Sequence, residues 1–148
     1  MKLIRVLMTR NGKLINFSTV EKEIFSICKR YHINLLYVFG SYATGKTTSL
    51  SDLDIAFYSE KKVNQIELLQ TLQHLFQEEA IDLVNLEKAP SHLIHRILRD
   101  GKCLFASDIK IKISFETEKE NEYFDSRWMR QDYFKAMKKR IEHGTYGT

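Results

Sequence analysis

Residues 35–58 read "LLYVFGSYATGKTTSLSDLDIAFY", and two incompatible patterns overlap there. Gly40, Gly45, Lys46 and Thr47 fit the phosphate-loop spacing G-x-x-x-x-G-K-[ST] behind an apolar run, "LLYVF". Gly40 also opens a second pattern: Gly40-Ser41, ten residues, then Asp52-x-Asp54. A phosphate loop has to feed directly into a helix whose N-terminal N–H groups and dipole hold the phosphates. Here only Thr48, Ser49, Leu50, Ser51 and Asp52 separate Thr47 from the next apolar run. That is too short for a helix and a parallel crossover, which takes about a dozen residues. "TTSLSD" has no helical stripe, and Asp52 and Asp54 stand at the start of their strand rather than at its end, where a phosphate-loop enzyme keeps its magnesium-linked Asp. The phosphate-loop reading fails its context.

The second pattern passes. Residues two apart on a strand share a face and lie ~6.6 Å apart along the chain. Asp52 and Asp54 can then converge on one cation while Leu53, Ile55 and Phe57 face the other way. Magnesium suits one or two carboxylates plus phosphates and waters, and would offset the repulsion between the acids. Asp82, inside "AIDLVNL", is a candidate third carboxylate from a neighbouring strand. Taken singly, a D-x-D pair is often a solvated turn and Asp82 a turn or cap residue. The combination points to a metal site.

Outward from this stretch, the pattern is that of one α/β unit. Asn11-Gly12 marks a tight turn in a short hairpin. Ser18 stands three residues before Glu21, a capping-box spacing, and Val20, Ile24, Ile27, Cys28 and Tyr31 predict a helix over about 19–31. Strands are expected at 35–39, 53–58 and 81–86, with "KCLFA" as a further edge strand. Helices are expected over about 63–79, after Pro90-Ser91 up to Gly101, and over about 115–143 as the longest. Residues 1–148 are read as a single domain, core about 19–106, without repeats or linkers.

The 148-residue chain is 43% hydrophobic and 28% charged, an ordinary globular composition. Two cysteines, Cys28 and Cys103, lack zinc-ligand or disulfide-framework spacing. Arg5 and Arg10 break any signal-like core, and no apolar run approaches a membrane span of ~18–20 residues, so a cytoplasmic protein without membrane contact is expected. The net charge of +4 permits nucleic-acid or phosphate binding without arguing for it, and no direct nucleic-acid binding is expected. From Arg127 to Arg140, three Arg and three Lys stand against Asp132, behind the acidic "ETEKENE". That order suits the dipole of one long helix. His92 and His95 share a predicted helix face but lack a third ligand, so they are read as structural.

"GSYATGKTTSLSDLDIAF" resembles the Gly-Ser-x10-Asp-x-Asp signature of the DNA polymerase beta-like nucleotidyltransferase superfamily. The short chain is similar to its minimal nucleotidyltransferase (MNT) branch, the antitoxins of HEPT/MNT toxin–antitoxin pairs. The pattern covers about Leu35 to Leu86. The resemblance implies a small mixed β-sheet flanked by helices, with a long C-terminal helix, and attack of an acceptor hydroxyl on the α-phosphorus of ATP. Gly40 and Ser41 would hold the triphosphate, and Asp52 and Asp54 the metals. Asp82 would help bind the catalytic metal and act as general base. Two Mg2+ ions, with Mn2+ as an alternative, would clamp the attacking and leaving oxygens. Relatives commonly carry Arg where this chain has Thr44; Lys46 would supply the phosphate-facing charge as a point charge rather than a planar fork.

Only about 35–40 residues follow the expected core, leaving the acceptor side open to a macromolecule. In the MNT branch the acceptor is a tyrosine of the HEPT toxin, silenced by AMP transfer. The toxin's Arg-x4-His-x-Tyr motif is absent, since Arg140, His143 and Tyr146 are spaced differently. Tyr123, Phe124, Trp128, Tyr133 and Phe134 are candidate partner anchors, about half of them expected to pack on the protein's own core. The alternatives are an antibiotic-type small-molecule nucleotidyltransferase and a non-catalytic toxin-binding module.

Overall fold

The apolar run that begins the signature becomes an interior strand, and the rest of the chain is arranged around it. The computed structural model describes residues 6–8, 14–46 and 51–144, with side chains from residue 19 onward. The element order is β1 (Val6–Met8), β2 (Leu14–Asn16), α1 (Phe17–Arg30), β3 (Leu35–Phe39), α2 (Ser41–Thr44) and β4 (Leu53–Tyr58). It continues with α3 (Gln65–Phe76), β5 (Ile81–Asn85), α4 (Ser91–Asp100), β6 (Lys102–Ala106), α5 (Ile109–Asp125) and α6 (Arg127–Glu142).

β1 and β2 pair antiparallel, as the hairpin reading expects; Asn11 and Gly12 themselves lie outside the described residues. The main sheet has the order β5-β4-β3-β6. β3 is antiparallel to both β4 and β6, whereas β4 and β5 are parallel, so the sheet is mixed. The parallel step takes a crossover, which α3 supplies. Asn64 caps α3 by accepting from the Glu67 N–H (3.3 Å), and Gln77 ends it in the left-handed region. α1 begins at Phe17, two residues before the expected start, and the Ser18 side chain lies outside those described.

Period-two alternation divides the sheet between two cores. Leu36, Val38, Leu53, Ile55 and Phe57 pack with Ile24, Ile27 and Cys28 of α1 and Leu68, Leu72 and Phe76 of α3. Leu35, Tyr37 and Ala56 pack on the other face with Ile94 and Ile97 of α4 and Phe115 of α5. Each fully buried Leu or Phe contributes roughly 1.5–3 kcal/mol. The result is a helix–sheet–helix sandwich.

The C-terminal helix is present, but it starts earlier and is broken once. Asp108 caps α5 by accepting from the Lys110 N–H (2.8 Å), and Ser126 stands between α5 and α6. Among the described residues, no helix is long and apolar enough to cross a membrane.

Candidate active site

The antiparallel β3–β4 hairpin folds the signature back on itself. Phe39 is the register partner of Asp54, so Gly40, next after β3, lies beside that carboxylate. A Cβ built on Gly40 would fall on Asp54 Oδ2. Gly40 also has a φ of 69°, which a side chain would strain. Two independent reasons thus require glycine here: backbone conformation and room for a carboxylate.

After Gly40 the chain makes the single turn α2. Ala43 and Thr44 N–H groups donate to Gly40 O (3.1 and 3.2 Å), and Lys46 N–H donates to Ser41 O (3.0 Å). Tyr42 buries its ring in the α1/α3 core and moors the turn. Thr44 turns its hydroxyl back to the Gly40 and Ser41 carbonyls (3.4 Å each). Lys46 is exposed and forms no ion pair among the described residues; Thr47 lies outside them. The antiparallel β3–β4 pairing removes the phosphate-loop alternative, which returns to its sheet parallel.

The parallel β4–β5 ladder sets Asp54 opposite Asp82. Because Leu53, Ile55 and Phe57 enter the α1/α3 core, Asp54 stands on the α4/α5 face, and Asp82 shares it through its register. Asp52 precedes Asp54 by two residues at the start of the strand. Asp52 and Asp82 are exposed and Asp54 is partly buried. Burial, then the Asp82 and Asp52 carboxylates, push the Asp54 carboxyl up to about 6. Asp54 thus feels both neighbouring carboxylates, and none of the three acids forms an ion pair among the described residues.

Carboxylate oxygens of Asp54 and Asp82 on one face, without an ion-pair partner among the described residues, fit a hard divalent cation. Among the described residues, no group of three or more His, Cys, Asp or Glu is arranged to hold a metal ion.

Sequence reasoning missed a support beneath this cluster. Glu78 is buried, its Oε1 accepts from the Ala80 N–H (3.1 Å), and its Oε2 has no partner among the described residues. Ala80 O in turn accepts from the Leu53 N–H (2.8 Å), so Glu78 braces the point where β4 and β5 begin. In "QEEAID" no periodicity separates it from its exposed neighbour Glu79.

The profile of the family described as polymerase beta nucleotidyltransferase matches residues 22–110. The chain is similar to the protein adenylyltransferase MntA of Shewanella oneidensis, with 33% identity over 78 residues. That match covers 51% of this chain and 55% of MntA, so it spans about half the length of that relative. The fold is similar to a crystal structure of a toxin–antitoxin with AMP-PNP: 26% identity, TM-score 0.66, 79% of this chain and 97% of the other covered. A tri-AMPylated Shewanella oneidensis HEPN toxin in complex with MNT antitoxin gives TM-score 0.63 at 24% identity, covering 81% and 97%.

Proposed function

The chain belongs to the polymerase beta nucleotidyltransferase family, and from that premise we propose that it is a protein adenylyltransferase serving as an antitoxin. It transfers AMP from ATP to a tyrosine hydroxyl of a HEPT-type toxin and releases pyrophosphate. The observation that carries this reading is Asp54 set opposite Asp82 and against Gly40, with Asp52 two residues before it. Similarity to an adenylyltransferase and to a toxin–antitoxin structure holding an ATP analogue supports the choice of reaction and acceptor. A cytoplasmic location, where ATP and such a toxin meet, belongs to the same proposal.

Gly40 and Ser41 hold the triphosphate at the end of β3, with Lys46 supplying charge from the loop. Asp52, Asp54 and Asp82 would hold magnesium, which when bound neutralises the phosphate and leaving-group charge. Asp82, at the open side of the sheet, accepts the acceptor's hydroxyl proton. The bond from that oxygen to the α-phosphorus forms as the bond from the α-phosphorus to the bridging oxygen breaks. Pyrophosphate carries away the electron pair.

The test is label transfer from ATP in magnesium to purified HEPT-type toxin, with α- and γ-label in parallel. The expected result is α-label on the toxin, lost in Asp52→Ala and Asp54→Ala. Toxin neutralised without label would identify a binding module. Label passing only to small molecules would identify an antibiotic-type enzyme.

A further inference from the structure

α6 contrasts with the rest of the described chain. It buries none of its residues, and its principal neighbour is α5. Six large apolar side chains stand in solvent along it: Trp128, Met129, Tyr133, Phe134, Met137 and Ile141. All but Trp128 fall on one side at helical spacing, an apolar stripe that no described residue covers. The same helix holds six basic residues against two acidic ones, equal to the +4 of the whole chain, so the remainder is balanced.

The joint holding this helix is tied. Tyr123 near the end of α5 stacks on His95 of α4 (centroids 3.9 Å apart, planes 1° apart), and Arg130 of α6 lies 4.3 Å over the Tyr123 ring. His95 Nδ1 lies 2.9 Å from Glu120 Oε2. Arg130 also donates to Ser126 Oγ (2.5 Å) and to Tyr123 O (3.0 Å). α6 is thus presented in a set direction, which lowers the ordering cost of binding.

Its place follows from the fold. α4 ends at Asp100, and Gly101 behind it is so close to Val38 O that a Cβ would crowd it, so α4 ends where β3 ends. α5 meets α4 at His95, in the middle of that helix, through Tyr123 and leads into α6 from there. The carboxylates share both this face and this end of the sheet.

We propose that α6 is the docking helix for the toxin, its apolar stripe seated in an acidic, apolar groove of that protein. The inference rests on the adenylyltransferase reading for the identity of the partner. Charge selects the occupant: two copies of α6 would bring together two net-positive helices, whereas an acidic groove complements one.

The test measures binding and AMP transfer with purified HEPT-type toxin of the same host, using the full chain, Tyr133→Ala with Met137→Ala, and Asp54→Asn. The α6 variant is expected to fold normally and to bind ATP unchanged. Its Kd and KM for toxin should rise about 30-fold with kcat at saturation unaltered, while Asp54→Asn should do the reverse. Lys138→Glu with Lys139→Glu should slow association and flatten its salt dependence. Unaltered Kd and KM in the α6 variants overturn the docking proposal while leaving the adenylyltransferase reading standing. Toxin bound through α6 without α-label overturns that reading and leaves the docking. Wild-type chain that dimerises through Tyr133 and Met137, or sediments through them with phosphatidylcholine vesicles containing about a third phosphatidylserine, overturns docking on a toxin.

Discussion

At the Gly40 end of the sheet one added carbon would collide with Asp54, whereas the sixteen residues of α6 bury no side chain. In the first region strand register, a buried Tyr42 and a braced Glu78 position the backbone that carries the acids. The second is tied at its base, through Ser126 and Arg130. Phosphoryl transfer needs groups held in position before the substrate arrives, while recognition of another protein needs exposed apolar area. Substitutions should therefore sort by region.

The largest expected effect is on chemistry. Asp54→Ala should lower AMP transfer by on the order of 10²–10³-fold or more with toxin binding unchanged. Kinetics with separately measured affinity check this, and a parallel loss of binding would erase the distinction between the regions.

Next is Gly40→Ala. At φ 69° and ψ −151° the backbone lies in a region essentially confined to glycine, which strains a residue with a Cβ by about 1–3 kcal/mol, and the collision with Asp54 adds to it, so denaturant unfolding should show a loss of about 2 kcal/mol or more. A neutral result would mean that the hairpin end is as forgiving as α6.

Smaller, and opposite in sign, is Asp54→Asn in EDTA. The folded-state carboxyl titrates near 6 rather than 3.8, so the fold favours the protonated acid and loses that preference as pH rises through about 6. At pH 7.5 the Asn variant should be more stable by about 1 kcal/mol, a figure discounted because the group is part-exposed and screened. The gain should vanish near pH 4. Added magnesium should reverse the order by stabilising the wild type alone. Thermal melts at both pH values decide it.

The smallest effect completes the comparison: Tyr133→Ala should change unfolding free energy by no more than about 0.5 kcal/mol. A larger loss would mean that α6 packs on the body in solution.

The same contrast governs what could be read from the sequence. Strands around the site were legible because an interior strand has to alternate: Leu53, Ile55 and Phe57 alternate with Asp54, Ala56 and Tyr58, and the acids declare their face. The end of α4 was legible from Gly101. The start of α5 was not, because Ile109, Ile111, Ile113 and Phe115 recur every second residue, a strand-like spacing within a helix. Asp108 at its cap was the overlooked signal. Nor was the break at Ser126, which contains no Gly or Pro and depends on the tertiary neighbours of Tyr123. The three acids could be named as candidates from spacing, but Asp54 opposite Asp82 is a matter of register, which no single segment encodes.

The antiparallel β3–β4 connection also has a kinetic consequence. Gly40, Asp52 and Asp54 sit on one local hairpin, which closes a short loop at small entropic cost on a timescale of about 1–10 μs. Asp82 reaches the cluster only after α3 has crossed over and β5 has docked in parallel. During folding the chain should pass from two carboxylates to three, with Asp82 arriving last. Pulse-labelled hydrogen exchange should find β3–β4 amides protected ahead of those of β5, and simultaneous protection would refute this order.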